Sequence, residues 1–493
     1  MIKRLLIANR GEVACRIMRT VQARGIHCVA VYSHCDKNSL HVQYANEAWC
    51  IGENPAQQSY LDSNKIIQIA KQSQCDAIHP GYGFLSENAD FAEACTQQGI
   101  IFIGPPADAI RQMGSKIEAK ERVAKVNIPL LPGLYFVAWQ LDIAEGLPLP
   151  LQQDALSEQG HSIEVRLYAV DPQKDFPPST GQLKQLQFPE ENTDLRIDTG
   201  VKQSDEISAF YDPLLAKIIS HDDNREQAIQ KLLFALQQIK INGISSNLDY
   251  LKAILRSEDF HQGLLSTHFL EKHPLDFAAS ETERDSAFFI AALAFYLTEN
   301  RMKNDDPWKK NIGWRLNQAP YYPITLRHFS SEKSINKNLS VTQLGKNNFS
   351  VKDEKGTLSI ECFSSACEDQ FQLSISDQAP IFVSVFRQKN TLTLHFTNYS
   401  LSFSQQKLSS NNFQKSQSSG SKFNHAPMSG RIVEIFCSSE QILAAGSPIL
   451  AMEAMKMEHI IKAPEAGQVT QFHIQPESFI EEGSLLFDFQ KDT

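Results

Sequence analysis

A repeated β pattern near the carboxyl end constrains this chain more than any other feature. Gly430 to Leu450 (GRIVEIFCSSEQILAAGSPIL) and Gly467 to Phe487 (GQVTQFHIQPESFIEEGSLLF) share alternating apolar and polar positions, and each has a second glycine, Gly446 and Gly483, at the same offset. Alternation of period two means strands with one buried face, and glycines at matched offsets mean matched tight turns. Two such copies are expected to pack on each other as a small pseudo-symmetric barrel. The connection between them, Ala451 to Ala466, is then expected to protrude, with Ala454-Met455-Lys456-Met457 at its tip. A lysine between two methionines presents an exposed amine inside a flexible apolar collar, which suits covalent modification.

Together with Ala426-Pro427-Met428-Ser429-Gly430 at the start of the first copy, these residues resemble the biotinyl domain of biotin-dependent carboxylases over Phe423 to Gln490. In that family the Ala-Met-Lys-Met lysine carries the cofactor. The resemblance implies biotin on Lys456, bracketed by Met455 and Met457 and attached by a biotin protein ligase. Met-Lys-Met alone also fits an ordinary surface lysine in a hairpin, and it is the surrounding duplication that separates the two. Lipoyl domains share the duplicated fold, but there the lysine usually adjoins an acidic residue.

A chain of 493 residues is long enough for three or four domains, and 42% hydrophobic residues suffice for globular cores. A net charge of −10 argues against a nucleic-acid surface. The longest apolar stretch, Ala287 to Leu297, is too short for a bilayer, so no membrane partner is expected. The start, Met1-Ile2-Lys3-Arg4-Leu5-Leu6-Ile7-Ala8, reads as a strand without a visible targeting peptide. Nine cysteines without a CxxC fit reduced thiols; a cytoplasmic, bacterial-type setting is the expectation, and an organelle matrix after import would also fit.

Residues 1–115 alternate strand and helix. Short apolar runs at Leu5–Ile7, Cys28–Tyr32, Asp76–Ile78 and Ile100–Ile103 flank helical stretches such as Gly11–Arg24 and Ser63–Gln74, which predicts an open α/β sheet. The first turn lacks GxGxxG, which speaks against a nicotinamide or flavin role. Asn9-Arg10-Gly11-Glu12, the run His79 to Asn88 (HPGYGFLSEN) and Phe102-Ile103-Gly104-Pro105 resemble, in order and spacing, the N-terminal domain of biotin carboxylases. Gly81 and Gly83 allow a tight turn at the carboxyl edge of a strand, where open α/β sheets place ligands. The same turn could equally serve interdomain packing.

Met113-Gly114-Ser115-Lys116 resembles the entry to the family's ATP-grasp region, where a lysine at the position of Lys116 contacts the nucleotide. Read alone, Lys116 is a solvated lysine at a helix start. The sequence then passes from Pro129-Leu130-Leu131-Pro132-Gly133 directly into Phe136-Val137-Ala138-Trp139-Gln140-Leu141. In the family a large block stands between these motifs, with a glycine-rich phosphate lid, phosphate-gripping lysines and magnesium-holding glutamates. This chain has no Gly-Gly pair and no Glu-Met-Asn. Phosphoryl transfer rests on positioning and on metal charge, so ATP and magnesium are expected to bind weakly or not at all, and no metal site is assigned.

Family motifs then resume: Gly160-His161-Ser162-Ile163-Glu164-Val165-Arg166, Pro178-Ser179-Thr180-Gly181, Asp198-Thr199-Gly200 and Tyr211-Asp212-Pro213-Leu214. By resemblance Arg166 is the catalytic candidate, an arginine at the biotin and bicarbonate site whose guanidinium can hold carbonate oxygens. The alternative is a structural ion pair near Glu164. Strands around Ser162–Tyr168 and Gly181–Phe188 are expected to have lost neighbours and to expose edges and apolar faces, making 116–275 the least stable region.

From residue 276 an apolar helix, Arg284 to Thr298, precedes β-rich sequence with Asp306-Pro307-Trp308 and Gly313-Trp314-Arg315-Leu316-Asn317. This resembles the subunit-contact domain of methylcrotonyl-CoA carboxylase biotin subunits, a helix with an antiparallel barrel. The helix is expected to offer its apolar surface to a partner. Seven Ser and four Gln among the eighteen residues Ser404 to Ser421 cannot bury a core and read as a flexible arm. Such an arm spans about 20–25 Å r.m.s. and up to about 60 Å extended.

The resulting expectation is a multidomain α/β and β chain. It has an N-terminal open α/β carboxylase domain (1–115), a remnant of ATP-grasp entry (116–134) and a carboxylase C-terminal fragment (135–275). A helix-plus-β-barrel domain (276–403), a linker (404–422) and a biotinyl domain (423–493) follow. Its resemblance is to α subunits of biotin-dependent acyl-CoA carboxylases of the methylcrotonyl-CoA type. That implies a carboxyltransferase β subunit as partner in a hetero-oligomer, in which the chain is either a subunit completed by another polypeptide, or a non-catalytic carrier or scaffold or decaying deletion product.

Overall fold

The computed structural model describes residues 1–113, 136–151, 155, 157, 159–174, 176–273, 275–301, 320–329, 334–364, 370–375, 379–406, 424–439, 441–454 and 457–491. Asp306-Pro307-Trp308 and Gly313–Asn317 lie outside them, as do Lys116, Met455 and Lys456.

The first five strands are β1 (Arg4–Ile7), β2 (His27–Ser33), β3 (Glu47–Gly52), β4 (Ala77–His79) and β5 (Ile101–Phe102). They form a parallel sheet in the order β3-β2-β1-β4-β5. Sequence alone missed β3, a mostly half-buried strand at the edge of the sheet. Helices α1 (Gly11–Ala23), α2 (Ser63–Gln72) and α3 (Ala89–Gln97) cross between the strands. Two of them start where an acceptor side chain takes an orphan amide: Asp62 from Lys65 and Asn88 from Phe91.

Beyond the helix Ala107–Met113, α4 (Phe136–Ala144) corrects the expected boundary at 135. Val137 and Leu141 are buried against Ile17, Met18 and Val21, in the core of the N-terminal sheet. Arg24 pairs with Asp142 at 2.6 Å, and Glu145 accepts the Ile2 amide at 2.6 Å. This helix thus packs as part of the N-terminal domain.

Seven short or medium strands and two longer helices make the next unit: β6 (His161–Tyr168), β7 (Gly181–Gln182), β8 (Gln185–Gln187), β9 (Leu195–Thr199), β10 (Glu206–Ile207) and β11 (Leu214–Asp222), then α5 (Arg225–Gln238), β12 (Lys240–Asn242) and α6 (Leu248–Arg256). The main sheet runs β6-β11-β9, and among the described residues β6 has no strand on its outer side. The expectation of exposed apolar faces is overturned. Ile163 and Leu167 of β6 are buried with Leu232, Leu236 and Leu251 in one continuous core. The outer edge is also partly covered, because Asn247 bonds the Tyr168 amide through Oδ1 and the Arg166 carbonyl through Nδ2.

Ser280 and Glu283 open the long helix α7 (Glu281–Arg301) reciprocally: Glu283 accepts the Ser280 amide at 2.8 Å and Ser280 Oγ accepts the Glu283 amide at 3.2 Å. Eight antiparallel strands then close a barrel: β13 (Tyr322–Phe329), β14 (Ser334–Gln343), β15 (Asn348–Lys352), β16 (Thr357–Ser364), β17 (Gln370–Ile375), β18 (Ile381–Gln388), β19 (Thr391–His395) and β20 (Ser400–Gln406). The helix does not offer its apolar surface to a partner. Phe288, Leu293 and Phe295 are buried with Leu326, Val351, Leu394 and Phe403, so the barrel wraps its own helix. Strand β20 runs through Gln406, so the first three residues of the expected linker are barrel. The rest of that tract lies outside the described residues.

Candidate functional site

The carboxyl-terminal unit has seven strands: β21 (Gly430–Ile435), β22 (Ile442–Leu443), β23 (Pro448–Ala454), β24 (Met457–Lys462), β25 (Gly467–Phe472), β26 (Phe479–Ile480) and β27 (Phe487–Lys491). Their two sheets, β24-β23-β21-β26 and β22-β25-β27, exchange strands between the sequence copies: β21 of the first pairs with β26 of the second, and β22 with β25. The pseudo-symmetry extends to the glycines. Gly446 and Gly483 turn the chain at φ +84° and +81°. A Cβ on Gly430 would sit 2.6 Å from the Glu453 carbonyl oxygen, and one on Gly467 would sit 2.4 Å from that of Gln490.

The expected protrusion from Ala451 to Ala466 is not a free loop. Most of it is the β23–β24 ladder, with Met452 opposite His459, Glu453 opposite Glu458 and Ala454 opposite Met457. That register leaves Met455 and Lys456 as the two residues that join the strands. Met452 and Ala454 are buried on one face and Glu453 is exposed on the other, because period-two alternation carries on through the hairpin arm. The segment ahead of β21 locks in by two bonds with the second copy, Ala426 N–H to the Ser484 carbonyl and Gly483 N–H to the Ala426 carbonyl, each 2.8 Å.

Arg166 stands on β6 in a charged row across the sheet, with Lys217 opposite it on β11 and Asp198 beyond on β9. Its side chain is mostly exposed and lies 3.4 Å from Glu164. Hydrogen bonding to Tyr168, then to Glu164, raises its pKa. Lys217 is engaged with Glu12 of α1 at 3.1 Å, while Asp198 faces Arg16, Arg19 and Arg196. Arg166 therefore projects its side chain to solvent from the outer strand of the sheet. Lys116 is outside the described residues and is not brought to it.

The His79–Asn88 run is a brace. His79 is buried, accepts the Gly81 amide on Nδ1 at 3.0 Å, and has Nε2 3.2 Å from Gln140 of α4. Burial pushes its imidazole down to about 4, so it stays neutral. Gly81, at φ +68°, lies against Asn9, whose amide donates to the Pro80 and Tyr82 carbonyls.

Sequence reasoning missed a buried clamp between the N-terminal domain and the fragment. Arg10 makes two 2.6 Å bonds to Asp36 and lies 4.1 Å over the Tyr211 ring. The Tyr60 hydroxyl donates to Asp36, and the Tyr211 hydroxyl lies 2.7 Å from Ser33 Oγ. Arg10 and Tyr211 sit in quoted motifs, but nothing near Asp36 or Tyr60 in sequence signals their meeting. A cleft of about 530 Å3 opens beside them, walled by Gly11, Ser39, Gly200, Asp205 and Asp212, and Arg166 is not among its walls.

Three family models match in order. Residues 1–110 match the biotin carboxylase N-terminal domain, 164–272 the biotin carboxylase C-terminal domain, and 425–489 the biotin-requiring enzyme family. The mitochondrial methylcrotonoyl-CoA carboxylase subunit alpha of Dictyostelium discoideum is 28% identical, with 98% of this chain and 95% of that protein covered. The alignment runs over 674 residues although the chain has 493, so a long block of the relative has no counterpart here. A biotin carboxylase from Halalkalibacterium halodurans is 29% identical, covering 98% of its own length but 55% of this chain. Among solved structures, the biotin carboxylase subunit of pyruvate carboxylase superposes with a TM-score of 0.54 at 24% identity, over 57% of this chain and 100% of that one. At that identity the likeness shows the fold.

Proposed function

This chain belongs to the biotin-dependent carboxylases, and from that premise we propose that it is a biotin-carrying α-type subunit unable by itself to drive ATP-dependent carboxylation. The observation that carries this reading is a complete carrier barrel in the same chain as an incomplete carboxylase. The β23–β24 ladder closes at Ala454 and Met457, which supports Lys456 as the attachment residue, with Met455 and Met457 as its flanks. On the other side, α4 begins at Phe136 and lies on α1, and the intervening residues 114–135 hold neither a glycine-rich lid nor paired magnesium carboxylates.

Biotin on Lys456 would supply a group carrier between active sites. Among the described residues, the β23–β24 arm ends at Ala454 and Met457, the residues that flank Met455 and Lys456 in sequence. The methylcrotonoyl-CoA carboxylase names of the relatives support an acyl-CoA carboxylase assembly with a carboxyltransferase β subunit. A biotin protein ligase would load it. Lys116 and Arg166 are remnants in this reading. The residues present do not fit an ATP–magnesium site, so no phosphoryl step is assigned to them.

Two measurements on the purified chain, co-expressed with biotin ligase, test the proposal. Streptavidin reactivity is expected and should vanish in Lys456→Arg; an unreactive wild type overturns the carrier assignment. No bicarbonate-dependent ADP release with free biotin is expected, and clear release overturns the account of the missing block. A second reading, completion by another polypeptide, is favoured by the solvent-facing Arg166 on a fully packed fragment. It predicts ADP release once the absent block is supplied from an intact relative.

A further inference from the structure

The fragment and the barrel meet through buried polar groups that neither biotin attachment nor the clamp at Asp36 uses. His395, at the end of β19, is 9% exposed. Its Nε2 accepts from the Asn242 amide at 2.7 Å, and its Nδ1 lies 3.1 Å from Ser400 Oγ, which fixes a neutral ring protonated on Nδ1. Asn242 also donates to Gln185 at 2.6 Å. Alongside, the Ser400 amide donates to Asp249 at 3.0 Å, and Asp249 holds Lys252, only 2% exposed, at 3.1 Å. Two barrel strands are thus seated on β12 and α6 of the fragment.

We propose that this contact is an acid-labile latch, which makes fragment and barrel one rigid body at neutral pH and releases them when His395 gains a proton. The charged groups that face the ring from the fragment are Lys252 and Lys240, which oppose a second positive charge, and Asp249, which is already engaged by Lys252 and the Ser400 amide. A proton on Nε2 would also face the Asn242 N–H, donor against donor. The latch has a consequence for the carrier. Ser400 begins the same strand whose end, Gln406, leads into the tether. Docking therefore fixes where the carrier's arm starts relative to Arg166, and release frees that origin.

The sign follows from proton linkage. Docked, burial pushes the imidazole down to about 4, and Lys252 and Lys240 act the same way; in water it returns to 6.5. The released state holds more protons, so docking is at full strength above pH 6.5 and weakens as pH falls towards 4. Between pH 7.5 and pH 5 the docking equilibrium should fall by about 30-fold.

Hydrogen exchange of the full-length chain at these two pH values, corrected for intrinsic rates, tests the latch at the Ser400 amide. Its protection is expected to drop by about that factor in the wild type, while the Val351 amide inside the barrel does not change. In His395→Gln the drop should disappear. In Asn242→Asp a carboxylate accepts from the protonated ring, and protection should persist at pH 5. Unchanged wild-type protection, or an equal loss in either variant, overturns the proposal. If one variant fails to fold, the other decides.

Discussion

Asp36 is almost fully buried, and its two oxygens accept from Arg10 twice at 2.6 Å, from Tyr60 at 2.7 Å and from Ser39 at 3.1 Å. Burial alone would push this carboxyl up, but the Arg10 charge and hydrogen bonds outweigh it and bring it down to about 2. The folded pKa lies below the ordinary 3.8, so this stabilisation is present above pH 3.8 and is lost as pH falls towards 2. The shift corresponds to about 2 kcal/mol. In Asp36→Asn the Arg10 guanidinium keeps its burial without its counter-charge. We expect a loss of about 3–5 kcal/mol, read as a lower urea midpoint, together with a weaker acid dependence between pH 4 and 2. Lys456 and Asp36 differ in how they can be found. The candidate attachment lysine lies in a contiguous tetrapeptide inside a visible repeat. Asp36 matters because residues 10, 39 and 60 converge on it, and convergence of that kind follows from the folded chain, not from spacing.

At the scale of elements, periodicity was informative wherever a segment buries one clean face. It anticipated four of the five strands of the N-terminal sheet, helix α7 and the matched glycine turns of the carrier. It was silent on β3, half-buried at an edge, and on where α4 would dock. It also could not tell that the apolar girth of α7 would be consumed by its own barrel, since a helix apolar all round reads the same inside a barrel or against a partner. The docking of α4 is testable. Leu141 is 1% exposed among Ile17, Met18 and Val21, so Leu141→Ala should cost about 2–4 kcal/mol in the N-terminal transition. Removing the partly exposed Arg24–Asp142 pair should cost less than about 1 kcal/mol. The carrier turns give a second comparison. Nothing lies within 4 Å of a Cβ at Gly446 or Gly483, so alanine there meets only the positive φ and should cost about 1–2 kcal/mol at each. Gly430→Ala adds a clash with the Glu453 carbonyl and should lower the carrier's melting temperature more than either.

The whole molecule poses the question of how the chain holds together without the long block that its relatives carry. The sequence suggested a weak region from 116 to 275, because strands that lose neighbours should expose edges and apolar faces. What compensates is contact between the two flanking units, none of it contiguous in sequence. Glu12, Arg16 and Arg19 line one side of α1 and meet Lys217 and Asp198 on the facing sheet. Gly200 lies so close to α1 that a Cβ there would be 2.2 Å from the Glu12 nitrogen. Tyr211 reaches back to Ser33 and to the Asn54 carbonyl. Buried, multiply bonded contacts of this kind couple unfolding, so the N-terminal sheet and the fragment should open as one cooperative unit. Native-state hydrogen exchange reads this directly. The amides of β1 and β11, at Leu6 and Ile218, are expected to share one opening free energy. Asp198→Ala should separate them, because it removes the buried carboxylate that Arg16, Arg19 and Arg196 share. The Ile218 amide should then exchange at least tenfold faster while Leu6 keeps its protection. If Ile218 already exchanges far faster than Leu6 in the wild type, the two units are independent, and the fragment is as weak as its lost neighbours suggested.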